Sequence, residues 1–260
     1  MPIIIHCQRG VEPKFWDNFW KKRFDKESLE EYYESFQKTP RVQRIFIQYL
    51  PKKGKVLDAG CGFGFWTYWL KNRGYDIEGI DVSKNAISFL KKNLPDLPVK
   101  TGTIFTLDYP DCSLNGYLSL GVIGYFLPDK ILHEMSRILD KGGIAILRVP
   151  YANPFRRLKS FLGFYKRIKD GESQYAFTPK ELACQLKGLG FQFIKADFFD
   201  SLYGFYTEIS GAMRAPLFLK GKDKRRSRLD LLRRSLKVIF ELLPFRFLFS
   251  HNLIVVAKKL

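Results

Sequence analysis

The segment Lys55-Val-Leu-Asp58-Ala-Gly60-Cys61-Gly62-Phe-Gly64 constrains this chain more than any other. Its apolar half predicts a buried strand ending in an acid, its glycines predict a tight turn, and a helix begins at about Phe65. Seventeen residues beyond Gly64, a second apolar strand (77–80) ends in another acid, Asp81. Strand, glycine-rich loop, helix, strand and terminal acid at this spacing form the layout of a nucleoside-binding α/β unit. A chain that turns from strand to helix within three residues needs positive φ, and glycine there lets a ligand approach the backbone closely. The helix start adds unpaired N–H groups. Asp81 falls where a carboxylate accepts hydrogen bonds from two ribose hydroxyls.

A Gly-x-Gly turn by itself fits several nucleotides, so the flanking residues decide between them. A dinucleotide fingerprint wants a third glycine at position 65, where this chain has Phe65. Asp58 lies at the strand end beside the loop and would repel a pyrophosphate. A ligand with cationic groups is favoured instead, and S-adenosyl-L-methionine carries an ammonium and a sulfonium. The pattern resembles the first motif of the class I S-adenosylmethionine-dependent methyltransferases, and Asp81 resembles that family's ribose-binding acid.

The resemblance runs from about residue 53 to 150. Gly102-Thr103-Ile104 matches a loop where the family usually has Gly-Asp and uses the acid on the adenine amino group. Residues 107–117 match its Leu-Pro-Phe-Pro-Asp-x-Ser-Phe-Asp stretch, with Asp111 and Ser113 in place. Gly121-Val122-Ile-Gly124-Tyr125 matches its Gly-Val-x-Glu-His segment, and Arg137-Ile-Leu-Asp-Lys-Gly-Gly its turn before the fifth strand. Three positions depart from the family: Thr103 and Asn115 replace acids, and Gly124-Tyr125 replaces Glu-His. A neutral acceptor at Thr103 makes a weaker hydrogen bond than an ionised one, which implies reduced cofactor affinity.

The rest of the chain agrees with an α/β fold. Strands are expected near 55–59, 76–80, 98–101, 116–120, 143–149, 191–198 and 253–257. Helices are expected near 65–73, 83–93 and 129–140, with Ser83 as an N-cap, and from Thr178-Pro179 to Gly188, with capping-box character. This gives a seven-stranded, mostly parallel sheet flanked by helices, with an inserted cap. Residues 14–50 read as helical, with Phe15, Trp16, Phe19 and Trp20 in one aromatic stripe, and Thr39-Pro40 as a helix start. The expected organisation is a helical lid over 1–50, a core over 51–200 and 252–260, and two insertions, 150–177 and 201–251. Such insertions emerge near the strands' carboxyl ends, where ligands bind, and so form a substrate cap.

The resemblance implies a cofactor site of Asp58, Gly60, Cys61, Gly62, Gly64, Asp81, Val82, Gly102, Thr103, Ile104, Gly121 and Val122. Trp20 joins it from the aromatic stripe. Tyr125, at the mouth of the fourth strand, and His251, at the start of the last strand, are the candidate catalytic residues. The four cysteines stand far apart with no metal-ligand spacing, so no metal site is expected. Free thiols fit a reducing cytosol, and no apolar run reaches the roughly 20 residues of a membrane span.

Net charge is +18 and uneven: residues 151–250 hold 20 Lys+Arg against 9 Asp+Glu. Arg156, Arg157, Lys159, Lys166, Arg167 and Lys169 interleave with Phe155, Phe161, Phe164 and Tyr165. Residues 220–228 add six cations and one acid, and 231–243 read as a basic amphipathic helix. This points to an anionic partner. A small-molecule or lipid-linked anionic substrate and peripheral contact with the inner membrane face are preferred over nucleic acid. The expected activity is methyl transfer to an oxygen, in the cytoplasm. The alternatives are a non-catalytic nucleoside-binding scaffold docking to membrane or RNA, and an RNA methyltransferase.

Overall fold

The computed structural model describes residues 3–8, 13–24, 29–30, 33–34, 40–126, 128–163, 172–203, 236, 239–240 and 244–260. The apolar runs of the sequence become the central strands: β2 (Lys55–Ala59), β3 (Asp76–Asp81), β4 (Val99–Thr101), β5 (Leu114–Leu120), β6 (Leu139–Pro150), β8 (Phe191–Phe199) and β9 (Asn252–Lys259). They form one sheet in the order β4-β3-β2-β5-β6-β9-β8. The first five strands in that order run parallel, and β9 lies antiparallel between β6 and β8. This is the Rossmann-like α/β architecture expected from the sequence.

Burial of both sheet faces explains why these strands read as continuous apolar runs. Leu57, Tyr117 and Leu147 enter a core on one face with α5 (Asp129–Ile138) and α7 (Pro179–Gly188). Val56, Leu118 and Ile146 enter a core on the other, with α2 (Pro40–Tyr49) and α3 (Phe65–Lys71). There Phe46 packs edge-to-face on Trp66 at 4.9 Å. Local chemistry starts the helices where the sequence placed them. Ser83 Oγ accepts from the Ala86 N–H at the start of α4 (Lys84–Asn93). Thr178 and Glu181 form a reciprocal capping box on α7.

Within 14–50, α1 covers Pro13–Phe24 and α2 begins at Pro40, the helix start that the sequence marks, where the missing N–H suits a first turn. The structure differs from expectation in two places. Residues 3–8, assigned to a helical lid, form strand β1 (Ile3–Gln8), paired antiparallel with β7 (Glu172–Ala176) from the first insertion. β6 starts four residues earlier than its apolar run. Leu139 pairs with Leu114 across an irregularity, and Gly142 takes φ 81° to carry the strand through. Of the second insertion, 201–251, only residues 201–203, 236, 239–240 and 244–251 are described. Its basic helix over 231–243 lies almost wholly outside the described residues. Among the described residues no helix is long and apolar enough to cross a membrane.

Candidate active site

The site begins at the turn from β2 into α3. Gly60, Gly62 and Gly64 take φ 85°, 53° and 65°, and the Gly60 and Cys61 N–H groups both donate to the Ile80 carbonyl at 2.8 Å. The turn is therefore strapped to the end of β3. A Cβ on Gly60 would stand 2.3 Å from Val122, and one on Gly62 would stand 2.5 Å from the Trp20 ring. Those two glycines let the wall and the roof of a cavity close onto the loop.

Two acids stand at the ends of neighbouring strands. Asp81, 7% exposed, accepts from the Gly62 N–H on Oδ2 and the Ser83 N–H on Oδ1, both at 2.9 Å. Burial raises its pKa, and these backbone bonds act against that rise. Asp58, 2% exposed, accepts from Thr67 Oγ1 at 2.8 Å. Burial pushes its pKa up to about 7; the Thr67 bond opposes this and the Asp81 charge adds to it. Neither carboxylate is ion-paired among the described residues. The floor is thus negatively charged and unneutralised, which is the chemistry a cationic ligand requires.

α1 forms the roof. Asp17, its one acid, accepts from Ser83 Oγ at 2.8 Å and from the Asn85 N–H at 3.1 Å, and the Asp17 carbonyl accepts from Asn85 Nδ2 at 3.3 Å. A carboxylate at the start of α4 also meets the positive end of that helix. Held there, α1 sets Trp16 edge-on to Tyr125 at 5.1 Å and Trp20 against Phe63 at 4.4 Å. The cavity beneath it, open on one side, is about 260 Å³.

Every residue named from the sequence lines this cavity except Gly64 and His251. Gly64 begins α3, and a Cβ there would meet Leu97 and Leu90 in the core. His251 is half-buried outside the cavity, with its ring 4.7 Å from that of Tyr203 and its Nδ1 2.5 Å from Arg156 Nη2. Burial, then the charges of Arg156 and Arg148, push its pKa well below the ordinary value. Burial raises the Tyr125 phenol, so it stays protonated near neutral pH. Thr103 Oγ1 accepts from the Phe105 N–H at 3.3 Å. Sequence reading missed Asp17, Phe105, Phe126 and Arg148. Arg148 left one signal, a cation inside the apolar run 144–149. Asp17 left the corresponding one, a single acid on an aromatic and basic helix.

Comparison with known proteins agrees with this geometry. Residues 57–147 match the family described as "Methyltransferase domain". A probable S-adenosylmethionine-dependent methyltransferase of Mycolicibacterium smegmatis is 24% identical over 96 residues, 36% of this chain and 37% of that protein. A ubiquinone/menaquinone biosynthesis C-methyltransferase of Campylobacter jejuni is 28% identical over 113 residues, 40% of this chain and 48% of that protein. The chain spans less than half the length of these curated relatives. The crystal structure of a SAM-dependent methyltransferase from Archaeoglobus fulgidus superposes with a TM-score of 0.57 at 17% identity, covering 93% of this chain and 99% of that one. The fold is that of the Rossmann-like methyltransferases. Residues 57–147 thus carry a methyltransferase domain, and this core is similar to the class I S-adenosylmethionine-dependent methyltransferases. The family's cofactor is S-adenosyl-L-methionine, and the paired uncompensated acids fit its cationic groups.

Two outcomes are expected. Asp17→Ala should speed amide exchange across α1 by about tenfold, the equivalent of losing its charge-assisted bonds; unchanged exchange would show that aromatic packing alone holds the helix. Asp58 carries a raised pKa, so below about 7 it holds a proton that a cationic ligand must displace. Affinity for S-adenosylmethionine should therefore rise with pH between about 5.5 and about 7.5, by at most about tenfold per unit. Asp58→Asn should flatten that rise in calorimetric titrations, and a rise of equal slope in the variant would contradict the assignment.

Proposed function

We propose that this chain is a methyltransferase that moves a methyl group from S-adenosylmethionine to an oxygen of a small-molecule, sugar or lipid-linked acceptor. The observation that carries the reading is the pair Asp58 and Asp81, buried and not ion-paired among the described residues, on the floor of a cavity roofed by aromatic side chains. When bound, the cofactor supplies a methyl carbon made electrophilic by a sulfonium. The chain's residues position and exclude water, since direct displacement at carbon gains most from orientation. Asp81 keeps lone pairs beyond those used by Gly62 and Ser83, and these receive the ribose hydroxyls. Asp58 balances the cationic end. Thr103 Oγ1 retains a second lone pair for the adenine amine. Trp16, Trp20 and Tyr125 close the cavity against water, and Tyr125 meets the acceptor as a neutral phenol rather than as a base.

The same reading places the protein in the cytoplasm, in peripheral contact with the acidic inner face of a membrane. Support comes from α6 (Pro154–Phe161), where Phe161 is 88% exposed and Leu158 54%, beside Arg157 and Lys159. Apolar and basic side chains on one exposed helix suit such an interface.

Asp81→Ala should lower affinity for S-adenosylmethionine at least about tenfold, or about 1.4 kcal/mol, with the fold retained by circular dichroism; unchanged affinity would remove the ribose assignment. The protein should co-sediment with acidic vesicles at low salt and be released as salt rises. Phe161→Ser should weaken that binding. No sedimentation with acidic vesicles at low salt would dismiss the membrane contact.

A further inference from the structure

The cavity's far end holds a cation that the cofactor reading does not use. Arg148 lies near the end of β6, opposite Leu120 of β5, and its side chain reaches over Gly121. A Cβ on Gly121, which takes φ 84°, would come within 3.1 Å of Arg148 Nη2. Arg148 lines the same cavity as Tyr125 and Trp16. Its buried Nε has no hydrogen-bond partner, and its guanidinium makes no hydrogen bond or ion pair with any described residue. The neighbouring Arg156, by contrast, is committed to the Tyr151 and His251 carbonyls at 2.8 and 3.0 Å. A guanidinium carries five donors, and burying one without an acceptor is costly. A site that keeps such a group at a cavity wall is built to receive an anion.

Position separates this anion from the cofactor's ribose end. In the sheet order β3-β2-β5-β6, Asp81 ends β3, Asp58 lies on β2, and Arg148 is on β6. The acid and the cation therefore stand three strand spacings apart, about 14 Å. The carboxylates thus lie under the β2–β3 side of the cavity and the Arg148 guanidinium on its β6 side, with the aromatic pair Trp16–Tyr125; Arg23, on α1, lines the cavity as well.

We propose that Arg148 determines acceptor specificity: it binds a carboxylate or phosphate carried by the methyl acceptor, whose apolar part rests against Trp16 and Tyr125. This rests on the methyltransferase reading and narrows its substrate class to anionic acceptors. Gly121 serves the same end, because its missing side chain leaves the guanidinium room to face the cavity.

The test uses the full-length protein saturated with S-adenosylhomocysteine, titrated with benzoate, with phenyl phosphate and with neutral benzyl alcohol, and followed by tryptophan fluorescence. At least one of the two anions should bind saturably and at least tenfold more tightly than the alcohol; which one binds tells carboxylate from phosphate. Arg148→Gln should weaken that binding at least tenfold, Arg148→Lys should restore part of it, and S-adenosylhomocysteine affinity should change less than threefold in both. Three results would overturn the proposal. Neither anion binds the saturated wild type, Arg148→Gln binds them as well as wild type does, or Arg148→Gln loses S-adenosylhomocysteine instead, making Arg148 a partner of the cofactor's own carboxylate. Failure of the wild type to bind S-adenosylhomocysteine at all would overturn the methyltransferase reading itself, a result read before any anion is added.

Discussion

Two carboxylates held side by side in the protein interior, Asp58 and Asp81, are the constraint on which the rest of the site depends. Burying like charges without a counter-ion is unfavourable, and the structure moderates that cost only in part. Backbone N–H groups from Gly62 and Ser83 reach Asp81, and the Thr67 hydroxyl reaches Asp58. What remains is a negative floor with Asp58 balanced between its protonated and ionised forms near neutral pH. A ligand that brings positive charge completes the arrangement, whereas a pyrophosphate would worsen it. The preference for S-adenosylmethionine over a dinucleotide is therefore electrostatic before it is steric.

The turn at residues 81–85 connects this floor to the roof. Ser83 donates its N–H to Asp81 and its hydroxyl to Asp17, while its oxygen also accepts from Ala86 at the start of α4. One buried serine thus joins the ribose acid, the helix cap and the lid helix. From that anchor α1 lays its tryptophans over the glycine loop and against Tyr125, and the close approach of Trp20 is tolerated because residue 62 has no side chain. Glycine at 62 serves both the turn and the lid, which gives its positive φ two reasons rather than one.

What the sequence revealed and what it hid follow from the range of the interactions. The strand–loop–helix unit at 55–71, the Ser83 cap and the Thr178–Glu181 box are local, set by residues within four positions of one another, and were legible. Continuous apolar runs made the central strands of the seven-stranded sheet legible as well, because β2, β5, β6 and β9 bury both faces. The pairing of β1 with β7 was not: it joins residues about 170 apart, and β7, Glu-Ser-Gln-Tyr-Ala, lacks the strong apolar pattern that marks a core strand. The early start of β6 was hidden by Lys141-Gly142-Gly143, which reads locally as a helix stop, although tertiary pairing with Leu114 carries the strand through it. In the cofactor half of the cavity, motif spacing marked the residues one by one. Asp17 and Arg148 escaped because their roles depend on partners 66 residues away and on an adjacent strand. His251 shows the converse: its position at a strand start suggested chemistry, while Arg156 holds its Nδ1 outside the cavity.

The central claim is that a negative, glycine-lined floor selects a sulfonium nucleoside over a dinucleotide. Calorimetric titration of the protein with S-adenosylmethionine, with S-adenosylhomocysteine and with NAD tests it most directly. Micromolar binding of the first two with no heat from NAD is the predicted result. Binding of NAD, or binding of none of the three, would contradict it.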